Sequence, residues 1–240
     1  MNILEAQRTR VVRVPSLLDA GEVALLLALG EQVQASDAQA TLTFQDDVNL
    51  SQRGNWETVY IHSQGAFRAR LPEVHAKLCA AVRAADASEG WSLLSGDFNV
   101  RTCEVHTVAD GGTLPEPKHY DSGSFVTIDV MLAQPGDFDG GTFRTLEADD
   151  QFLRYPEFVC GDAMIFVSHK YHGVEPVTRG VRRVCVTEFW SGEERTCPHR
   201  CKRRAGACHF SRKKTGAAEG GNSSSDSDST SVCGLGEVRE

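Results

Sequence analysis

Hydrophobic positions in the N-terminal part of the chain recur with the period of amphipathic helices, after one short strand. Arg10–Val14 is a β-branched run, which favours a strand. Ser16 or Asp19 can cap the first helix, and Asp19 can also form a capping box with Glu22; the helix is predicted to continue to about Val33. A second helix is predicted over Leu71–Ala87, where apolar residues again line one side.

Beyond residue 98 the apolar residues alternate in short segments, whereas the polar stretch Gln34–Arg53 is expected to be mostly loop. Turn dipeptides such as Pro135-Gly136 and Gly161-Asp162 separate these segments. The predicted strands are Phe98–Val105, Phe125–Leu132, Thr142–Leu146, Glu157–Cys160, Ala163–Val167, His172–Val177 and Val181–Trp190. Short strands without intervening helices predict an antiparallel sandwich or barrel. The expected fold class is therefore α+β and mainly β, with N-terminal helices supporting the β core.

Shifts in composition divide the chain into four parts. Residues 1–97 are interpreted as a helical and strand support region, and residues 98–192 as the β core, which forms one domain with it. Residues 193–214 form a Cys-rich basic extension. Residues 215–240 are rich in Ser, Asp and Gly and are predicted to be disordered, because they cannot bury enough apolar surface to order themselves.

Charge and hydropathy exclude several classes of protein. No apolar run reaches the roughly 18 residues of a membrane-spanning helix, and the first residues lack the apolar region of a signal peptide. The net charge of -8 argues against binding of polyanions by the core, although nucleic-acid binding by the tail stays open. We expect a cytoplasmic protein without a membrane partner. Nuclear import is an alternative if the basic clusters at 202–204 and 212–214 act as a signal.

One pair of histidines and one carboxylate stand out as candidate metal ligands. His119 and Asp121 lie two positions apart, a pattern that is weak evidence by itself, and His172 follows 53 residues after His119. Two histidines and one carboxylate form the facial triad that holds non-haem Fe(II) and leaves positions open for a keto acid and dioxygen. His169 is the alternative second histidine, but only His172 has the Gly and Arg that follow at suitable offsets.

An arginine downstream of the triad can supply the cation that an acidic co-substrate needs. Arg182 lies ten residues after His172, so a turn at Arg179-Gly180 would bring it back along the next strand. Arginine binds a carboxylate in a bidentate manner. Alternation puts Arg182 and Arg183 on opposite faces of that strand, and the pattern does not decide which face points inward. Spacing favours Arg182, with Arg183 as the alternative.

Several motifs together make the stretch from about residue 98 to 190 resemble a known enzyme family. They are H-Y-D at 119–121, F-D-G-G-T-F at 138–143, C-G-D-A-M-I-F at 160–166 and, as the strongest, H-G-V-E-P-V-T-R-G-V-R at 172–182. These motifs resemble those of the Fe(II)- and 2-oxoglutarate-dependent dioxygenases, and within them the prolyl 4-hydroxylase-like group. The opening strand and helix resemble that group as well, so the resemblance covers about residues 10–190.

The resemblance implies a fold, a reaction and a set of site residues. The fold would be a double-stranded β-helix, or jelly-roll. His119, Asp121 and His172 match the Fe(II) ligands, and Arg182 matches the residue that anchors 2-oxoglutarate. With O2, 2-oxoglutarate would be converted to succinate and CO2 while an unactivated C–H bond is hydroxylated, and ascorbate would support turnover. The favoured substrate is a prolyl side chain in a protein or peptide, and the carboxylate of Asp121 favours hydroxylation over halogenation.

The sequence departs from the group at the second partner of the co-substrate. A tyrosine that commonly precedes the Gly-rich turn and hydrogen-bonds 2-oxoglutarate is missing, and His106 lies near its expected place. Thr127, on the strand after the His-x-Asp motif, is the predicted substitute that would share the co-substrate with Arg182. Contacts to the substrate itself are expected from the loops at 34–70 and 109–118.

The cysteines of the extension give a second candidate metal site. Cys197, Cys201, Cys208 and His209 are soft ligands of the kind that structural zinc prefers, and His199 could replace His209. Their spacing matches no standard finger, so reactive thiols or a simple anchoring role are alternatives. A different class of function also remains open, in which the β fold is a non-catalytic recognition module that acts through this basic tail. Deletion of the tail at position 192 is expected to separate the two functions.

Overall fold

Two antiparallel sheets dominate the computed structural model, which describes residues 1–43 and 53–210. Within these ranges the helices are α1 Ile3–Ala6, α2 Ala20–Ser36, α3 Ala66–Arg70 and α4 Pro72–Glu89. The strands are β1 Val12–Val14, β2 Thr41–Thr43, β3 Trp56–Tyr60, β4 Asn99–Ala109, β5 Val126–Met131, β6 Phe138–Gly140, β7 Phe143–Leu146, β8 Phe152–Tyr155, β9 Ala163–Val167, β10 His172–Val174 and β11 Val177–Trp190.

The long strand β11 organises the larger sheet. That sheet has the order β1-β9-β5-β11-β4-β3-β2, with β6 paired to the beginning of β11, and the smaller sheet has the order β10-β7-β8. Phe143 of the smaller sheet packs with Phe166, Val184 and Val186 of the larger one, so the two sheets face each other across an inner core. The N-terminal strands join the same larger sheet, because β1 pairs with β9 and β3 pairs with β4.

The two long helices form as the sequence predicts and cover the outer face of the larger sheet. Asp19 caps α2 and exchanges capping-box hydrogen bonds with Glu22. Pro72 begins α4, and Gly90, at φ 67°, ends it in the left-handed conformation that glycine favours. The buried side chains of both helices form one cluster with those of β5, including Ile128. Burial of these apolar faces, and not helix propensity, holds the helices in place.

Alternation along β5 and β11 separates an outer core from the site between the sheets. Ile128 of β5 and Cys185 of β11 belong to the outer cluster under the helices. Because neighbouring side chains point to opposite faces, Asp129 and Arg182 therefore point between the two sheets. The structure thus decides the alternative that the sequence left open, since Arg182 lines the inner cavity and Arg183 does not.

Several segments differ from the predicted elements, and the predicted turn at Arg179-Gly180 is absent because β11 runs through it from Val177 to Trp190. The predicted strand at Glu157–Cys160 is wrong, because this segment forms a turn, and the strand β8 lies just before it. β8 is an edge strand with mostly exposed side chains, so it lacks the apolar alternation that marks a strand. The predicted loop at Gln34–Arg53 is partly wrong as well, because α2 continues to Ser36 and β2 follows; residues 44–52 lie outside the described residues.

The extension after β11 has neither helix nor strand over residues 193–210. It lies against the end of the larger sheet, where Arg101 donates through Nε to the carbonyl of Cys201 at 2.8 Å and Gln64 donates to the carbonyl of Thr196 at 2.7 Å. The tail predicted to be disordered, 215–240, lies outside the described residues. In the part of the chain that the structure describes, no helix is both long and apolar enough to cross a membrane.

Candidate active site

A cavity between the two sheets gathers four of the five residues that the sequence singles out for the dioxygenase site. His119, Asp121, His172 and Arg182 all line it, and its empty space is about 400 Å³ when the open mouth is counted. They come from separate places along the chain: the loop before β5, the first residue of β10 and the early part of β11. Only tertiary folding makes them neighbours.

The candidate metal ligands converge on one point. His119 Nε2 lies 3.7 Å from one carboxylate oxygen of Asp121, and His172 Nε2 lies 3.8 Å from the other. All three candidate ligand atoms lie within 4.8 Å of one another. Backbone hydrogen bonds fix the spacing, because the amide of His172 donates to the His119 carbonyl at 3.0 Å and that of Asp121 donates to the Ser168 carbonyl at 2.8 Å.

The protonation states of His172 and Asp121 suit the binding of a cation. His172 donates through Nδ1 to the carbonyl of Lys170 at 3.0 Å, which leaves the Nε2 lone pair directed at Asp121. Burial lowers the pKa of His172 to about 4, so its imidazole is neutral at neutral pH. Burial raises the pKa of Asp121, but His172, Arg200 and His119 outweigh it and hold that pKa well below the ordinary value. The donor set is therefore one carboxylate and neutral imidazole.

This donor set fits the facial triad of non-haem Fe(II). Nitrogen and oxygen donors bind first-row divalent ions at about 2.1 Å, so neighbouring donors around one ion lie about 3 Å apart. The separations of 3.7 and 3.8 Å need only a small inward movement of the side chains to reach that value. One carboxylate and two imidazoles also leave coordination positions open to other ligands.

The rival histidine, His169, lies outside this group of ligand atoms. Its ring packs edge-on against Tyr120 at 5.6 Å between centroids, and its carbonyl accepts a hydrogen bond from Gln7 at 2.9 Å. The neighbouring Lys170 is fully buried and donates to the carbonyls of Gln7 and Thr9 and to Glu147. Residues 169 and 170 therefore tie the N-terminal segment to the sheets.

Arg182 is a buried cation without a partner among the described residues. Its side chain is 1% exposed, and none of its three guanidinium nitrogens has a hydrogen bond there. Burial lowers the pKa of Arg182 to about 10, whereas the nearby Asp129 acts to raise it. An uncompensated buried charge costs several kcal/mol, so this end of the cavity is built to receive an anion. The carboxylate of a keto acid fits that requirement.

Asp129 is a site residue that sequence reasoning missed. It lines the cavity from β5, and its Oδ1 is buried without a hydrogen bond among the described residues. Burial raises the pKa of Asp129 to about 8; Asp121 adds to this effect and Arg182 opposes it. A carboxyl that is protonated at neutral pH can donate a hydrogen bond to a bound anion. The available signal was a lone carboxyl within the apolar strand V-T-I-D-V-M.

Thr127 does not lie where the sequence analysis expected it. It pairs with Glu188 of β11, six positions from Arg182, which is about 20 Å along a strand. Its hydroxyl instead donates to Asp121 Oδ2 at 2.8 Å and lies 2.9 Å from the hydroxyl of Ser168. Thr127 therefore orients the candidate metal ligand Asp121. Asp129, which lines the cavity near Arg182, is better placed than Thr127 for the role that the sequence analysis gave to Thr127.

His106, near the expected place of the missing tyrosine, does line the cavity. Its Nε2 lies 2.7 Å from Glu104, and its ring packs edge-on against Trp56 at 5.2 Å between centroids. Burial lowers the pKa of His106, although Glu104 opposes this effect. A neutral ring that donates to Glu104 keeps its other nitrogen as an acceptor. His106 is thus a polar wall residue whose orientation Glu104 fixes.

Arg200, from the extension, completes one wall of the cavity and was not anticipated from the sequence. It donates to Asp121 Oδ1 at 3.2 Å and to Glu104 Oε1 at 2.8 Å, and it lies 2.9 Å from Glu188. Burial raises the pKa of Glu188 to about 7, with Arg200 opposing the shift. Because Arg200 touches a candidate metal ligand, the extension is part of the site.

Replacing Asp129 by asparagine is expected to change how stability depends on pH. The raised pKa means that the folded state keeps a proton that the unfolded state releases, so the stabilisation from Asp129 is full below its ordinary pKa of 3.8 and is lost as pH rises through about 8. Asparagine does not titrate, so the variant gains on the native chain by up to about 5 kcal/mol between acid and alkaline pH, at about 1.4 kcal/mol for each pH unit between the two pKa values. Urea unfolding without added iron at several pH values measures this difference. The exposed Asp97→Asn is the control, and parallel pH profiles for Asp129→Asn and the native chain would contradict the assignment.

Comparison with known proteins identifies the fold. No protein-family model matches the chain. A PKHD-type hydroxylase from Sphingopyxis alaskensis (strain DSM 13593 / LMG 18877 / RB2256) is 40% identical over 62 residues, which are 26% of this chain and 28% of that protein. The match thus spans less than a third of the relative's length.

Solved structures resemble the chain over most of its length. A prolyl-4-hydroxylase from Pseudomonas putida has a TM-score of 0.53 at 20% identity, over 78% of this chain and 98% of that one. A prolyl hydroxylase from Trichoplax adhaerens, in complex with a peptide fragment of hypoxia inducible factor, has a TM-score of 0.56 at 13% identity, over 78% and 86%. The epimerase SnoN from nogalamycin biosynthesis has a TM-score of 0.56 at 18% identity, over 78% and 80%. The predicted jelly-roll class and the resemblance to the prolyl hydroxylase-like group are confirmed.

Proposed function

We propose that this chain, which has the jelly-roll fold of the prolyl hydroxylase-like oxygenases, is an Fe(II)- and 2-oxoglutarate-dependent dioxygenase. It hydroxylates an unactivated C–H bond in a protein or peptide, with a prolyl side chain as the favoured target, and it releases succinate and CO2. One observation carries the proposal: a single cavity holds both the His119, Asp121 and His172 cluster and the buried, unpartnered Arg182.

Each residue of the cavity has a defined task in this reaction. Bound iron would supply the activation of dioxygen and the oxidative decarboxylation of the keto acid. His119, Asp121 and His172 would hold it. Arg182 receives the distal carboxylate of 2-oxoglutarate, and the protonated carboxyl of Asp129 donates a second hydrogen bond to it. The co-substrate is oriented before reaction because these groups are fixed by the sheets.

The surroundings keep water away from the reacting atoms. Val184, Val186 and Phe143 form apolar walls of the same cavity, and all three are buried. A dry wall strengthens the electrostatic interactions of Arg182 and limits competing reactions with water. Thr127 and Arg200 hold the two oxygens of Asp121 by hydrogen bonds at 2.8 and 3.2 Å. These contacts keep the carboxylate in one orientation as co-substrate enters.

The assignment to a peptidyl substrate is supported by likeness and by the character of the cavity. Two of the structural neighbours are prolyl hydroxylases, and one of them is described with a bound peptide. Trp56, Leu114 and Val174 add further apolar surface around the site, which suits a saturated ring such as that of proline. SnoN, an epimerase, has the same fold, so the reaction has to be established on this chain itself.

An anaerobic titration of the metal-free protein with Fe(II), and then with 2-oxoglutarate, tests the proposal. We expect a weak visible charge-transfer band when the keto acid chelates the iron. Admission of air with a panel of proline-containing peptides should then give succinate together with the gain of one oxygen atom by a peptide. Folded protein that shows no band would contradict the proposed cofactors, whereas a band with succinate but no peptide oxidation would overturn only the choice of substrate.

The alternative function is a non-catalytic module that acts through its basic tail. The tail deletion that the sequence analysis suggested does not distinguish this function from catalysis. Deletion at Gly192 would also remove Arg200, which contacts Asp121 inside the cavity. Loss of activity in that deletion would therefore follow from either function. The exposed basic residues Lys202, Arg203 and Arg204 can be replaced without removing Arg200, so they separate tail recognition from catalysis.

A further inference from the structure

Four soft ligands converge in the extension, away from the triad. The Sγ atoms of Cys197, Cys201 and Cys208 and a ring nitrogen of His199 all lie within 4.8 Å of one another. We propose that these side chains form a tetrahedral Cys3His site for a zinc-class divalent ion, and that the ion holds Arg200 in the wall of the catalytic cavity. The metal site is independent of the proposed function; the consequence for catalysis rests on it.

The geometry suits a tetrahedral ion. Zinc binds sulfur at about 2.3 Å and nitrogen at about 2.1 Å, so the edges of such a tetrahedron measure about 3.5–3.8 Å. His199 Nε2 lies 3.3 Å from Cys208 Sγ, close to that edge length. Cys201 is 1% exposed and the other three side chains are half-buried, so the cluster is largely shielded from solvent. A closed four-ligand set is the mark of a structural zinc site.

The fourth ligand differs from the sequence expectation. His209 is exposed and is not part of the cluster, whereas His199 is. Adjacent Cys208 and His209 would have to bend sharply to bind one ion together. His199 avoids this, because one residue separates it from Cys197 and one from Cys201. The nonstandard spacing of the cysteines is thereby explained.

Groups around the cluster can stabilise cysteine thiolates that are bound to a metal ion. The backbone amide of Arg203 lies 3.4 Å from Cys201 Sγ, as expected of a donor that stabilises a metal-bound thiolate. Three thiolates and a neutral imidazole around a divalent ion leave one negative charge, which the neighbouring Lys202, Arg203 and Arg204 balance. All three cysteines are free thiols in the structure.

The extension has no regular secondary structure and little apolar packing of its own. Residues 193–210 contain no helix or strand, and their aromatic residue Phe210 is 46% exposed. A segment without its own hydrophobic core is stabilised by a bound metal ion, because structural zinc contributes folding free energy directly. Sulfur donors select zinc over harder ions, whereas the nitrogen and oxygen donors of the triad suit Fe(II). The two sites are therefore expected to bind different metals.

Arg200 connects this cluster to the catalytic cavity. Its neighbours in the chain, His199 and Cys201, are both proposed ligands, so an ion fixes the backbone on either side of it. Its guanidinium then reaches Asp121 and Glu104. Loss of the ion loosens residues 197–208 and removes one of the restraints that hold this arginine against Asp121. Arg200 is thus a positioning residue under the control of the second metal.

Metal analysis of the full chain tests the site directly. We expect one tightly held zinc per native chain, which is also retained in His209→Ala and in the triad variant His172→Ala. Cys208→Ser should lose it, and His199→Ala should bind it at least about tenfold more weakly. His199→Cys should restore binding, and cobalt(II) in this variant should show stronger thiolate charge-transfer bands than in the native chain. Zinc that survives Cys208→Ser, or that disappears with His172→Ala, would overturn the proposal.

Thiol alkylation and proteolysis then separate a metal from a disulfide and report on Arg200. Zinc should protect Cys197 and Cys208 from alkylation until a chelator is added, with Cys79 as internal reference; protection relieved by a reductant alone would mean a disulfide and would overturn the site. Trypsin should cleave after Arg200 about tenfold faster in Cys208→Ser than in the zinc-bound native chain. Equal rates would refute the restraint on Arg200. None of these measurements uses 2-oxoglutarate, so failure of the proposed function leaves them interpretable.

Discussion

Replacing His172 by alanine is expected to reduce Fe(II)-dependent turnover of 2-oxoglutarate by more than about 100-fold, because even residues that only support a metal ligand cost 10–100-fold. His172 Nε2 lies 3.8 Å from Asp121, within the group of three candidate ligand atoms. Without its imidazole, one carboxylate and one imidazole remain, which is too few to hold the ion. Iron content and succinate formation measure the effect.

His169→Ala is the matched control for this prediction. His169 lies three residues away in the same H-K-Y-H segment but outside the group of ligand atoms. We expect its iron content and succinate formation to stay within about twofold of the native values, since substitutions away from such features usually change little. Thermal unfolding shows whether both variants fold. Equal losses in His169→Ala and His172→Ala would contradict the assignment of the triad.

Replacing Arg182 by methionine is expected to weaken 2-oxoglutarate binding and to stabilise the empty protein. Loss of the partner of a carboxylate at a buried site costs about 3–5 kcal/mol, which is roughly 100-fold or more in Kd. The same change removes a buried, unpartnered charge and replaces it with apolar volume, so the free energy of unfolding without co-substrate should rise by about 1–4 kcal/mol. Titration calorimetry and urea unfolding measure these opposite effects.

Two further variants, Arg182→Lys and Arg183→Met, serve as comparisons for this prediction. Arg182→Lys keeps the charge but cannot form two parallel hydrogen bonds, so we expect an intermediate Kd. Arg183→Met is the control, because Arg183 points away from the cavity and should leave the Kd within about twofold. A stability loss in Arg182→Met, or an equal change of Kd in Arg183→Met, would show that Arg182 is a structural cation with an unseen partner.

The extension after β11 is part of the candidate active site. The sequence suggested a tail that could be removed from a self-sufficient barrel. The structure instead puts Arg200 within 3.2 Å of Asp121 and gives the extension a four-ligand cluster of its own. Without the second metal, the chain would keep both sheets and all three triad residues, but Arg200 would be held less firmly in the wall of the cavity. The two metal sites are therefore expected to be coupled through this one residue.

Local chemistry determined much of the fold and the triad. The capping box of Asp19 and Glu22 set the start of α2, and the alternating residues of β5 and β11 marked both strands. The H-Y-D motif and the segment H-G-V-E-P-V-T-R-G-V-R, which carries His172 and Arg182, were readable because each is a short run that resembles a family motif. Such motifs are local, so a pattern reveals each of them, but it does not show that the two segments meet.

Only the tertiary structure decided which faces and which distant segments form the cavity. Both faces of β11 are buried over most of its length, so alternation could not choose between Arg182 and Arg183 until the helices covered one face. Thr127 and Asp129 share one face of β5, and the pairing with β11 put Asp129 in the cavity and Thr127 behind Asp121. Arg200 reaches the site from an irregular segment, which has no periodicity that would indicate where its side chains point.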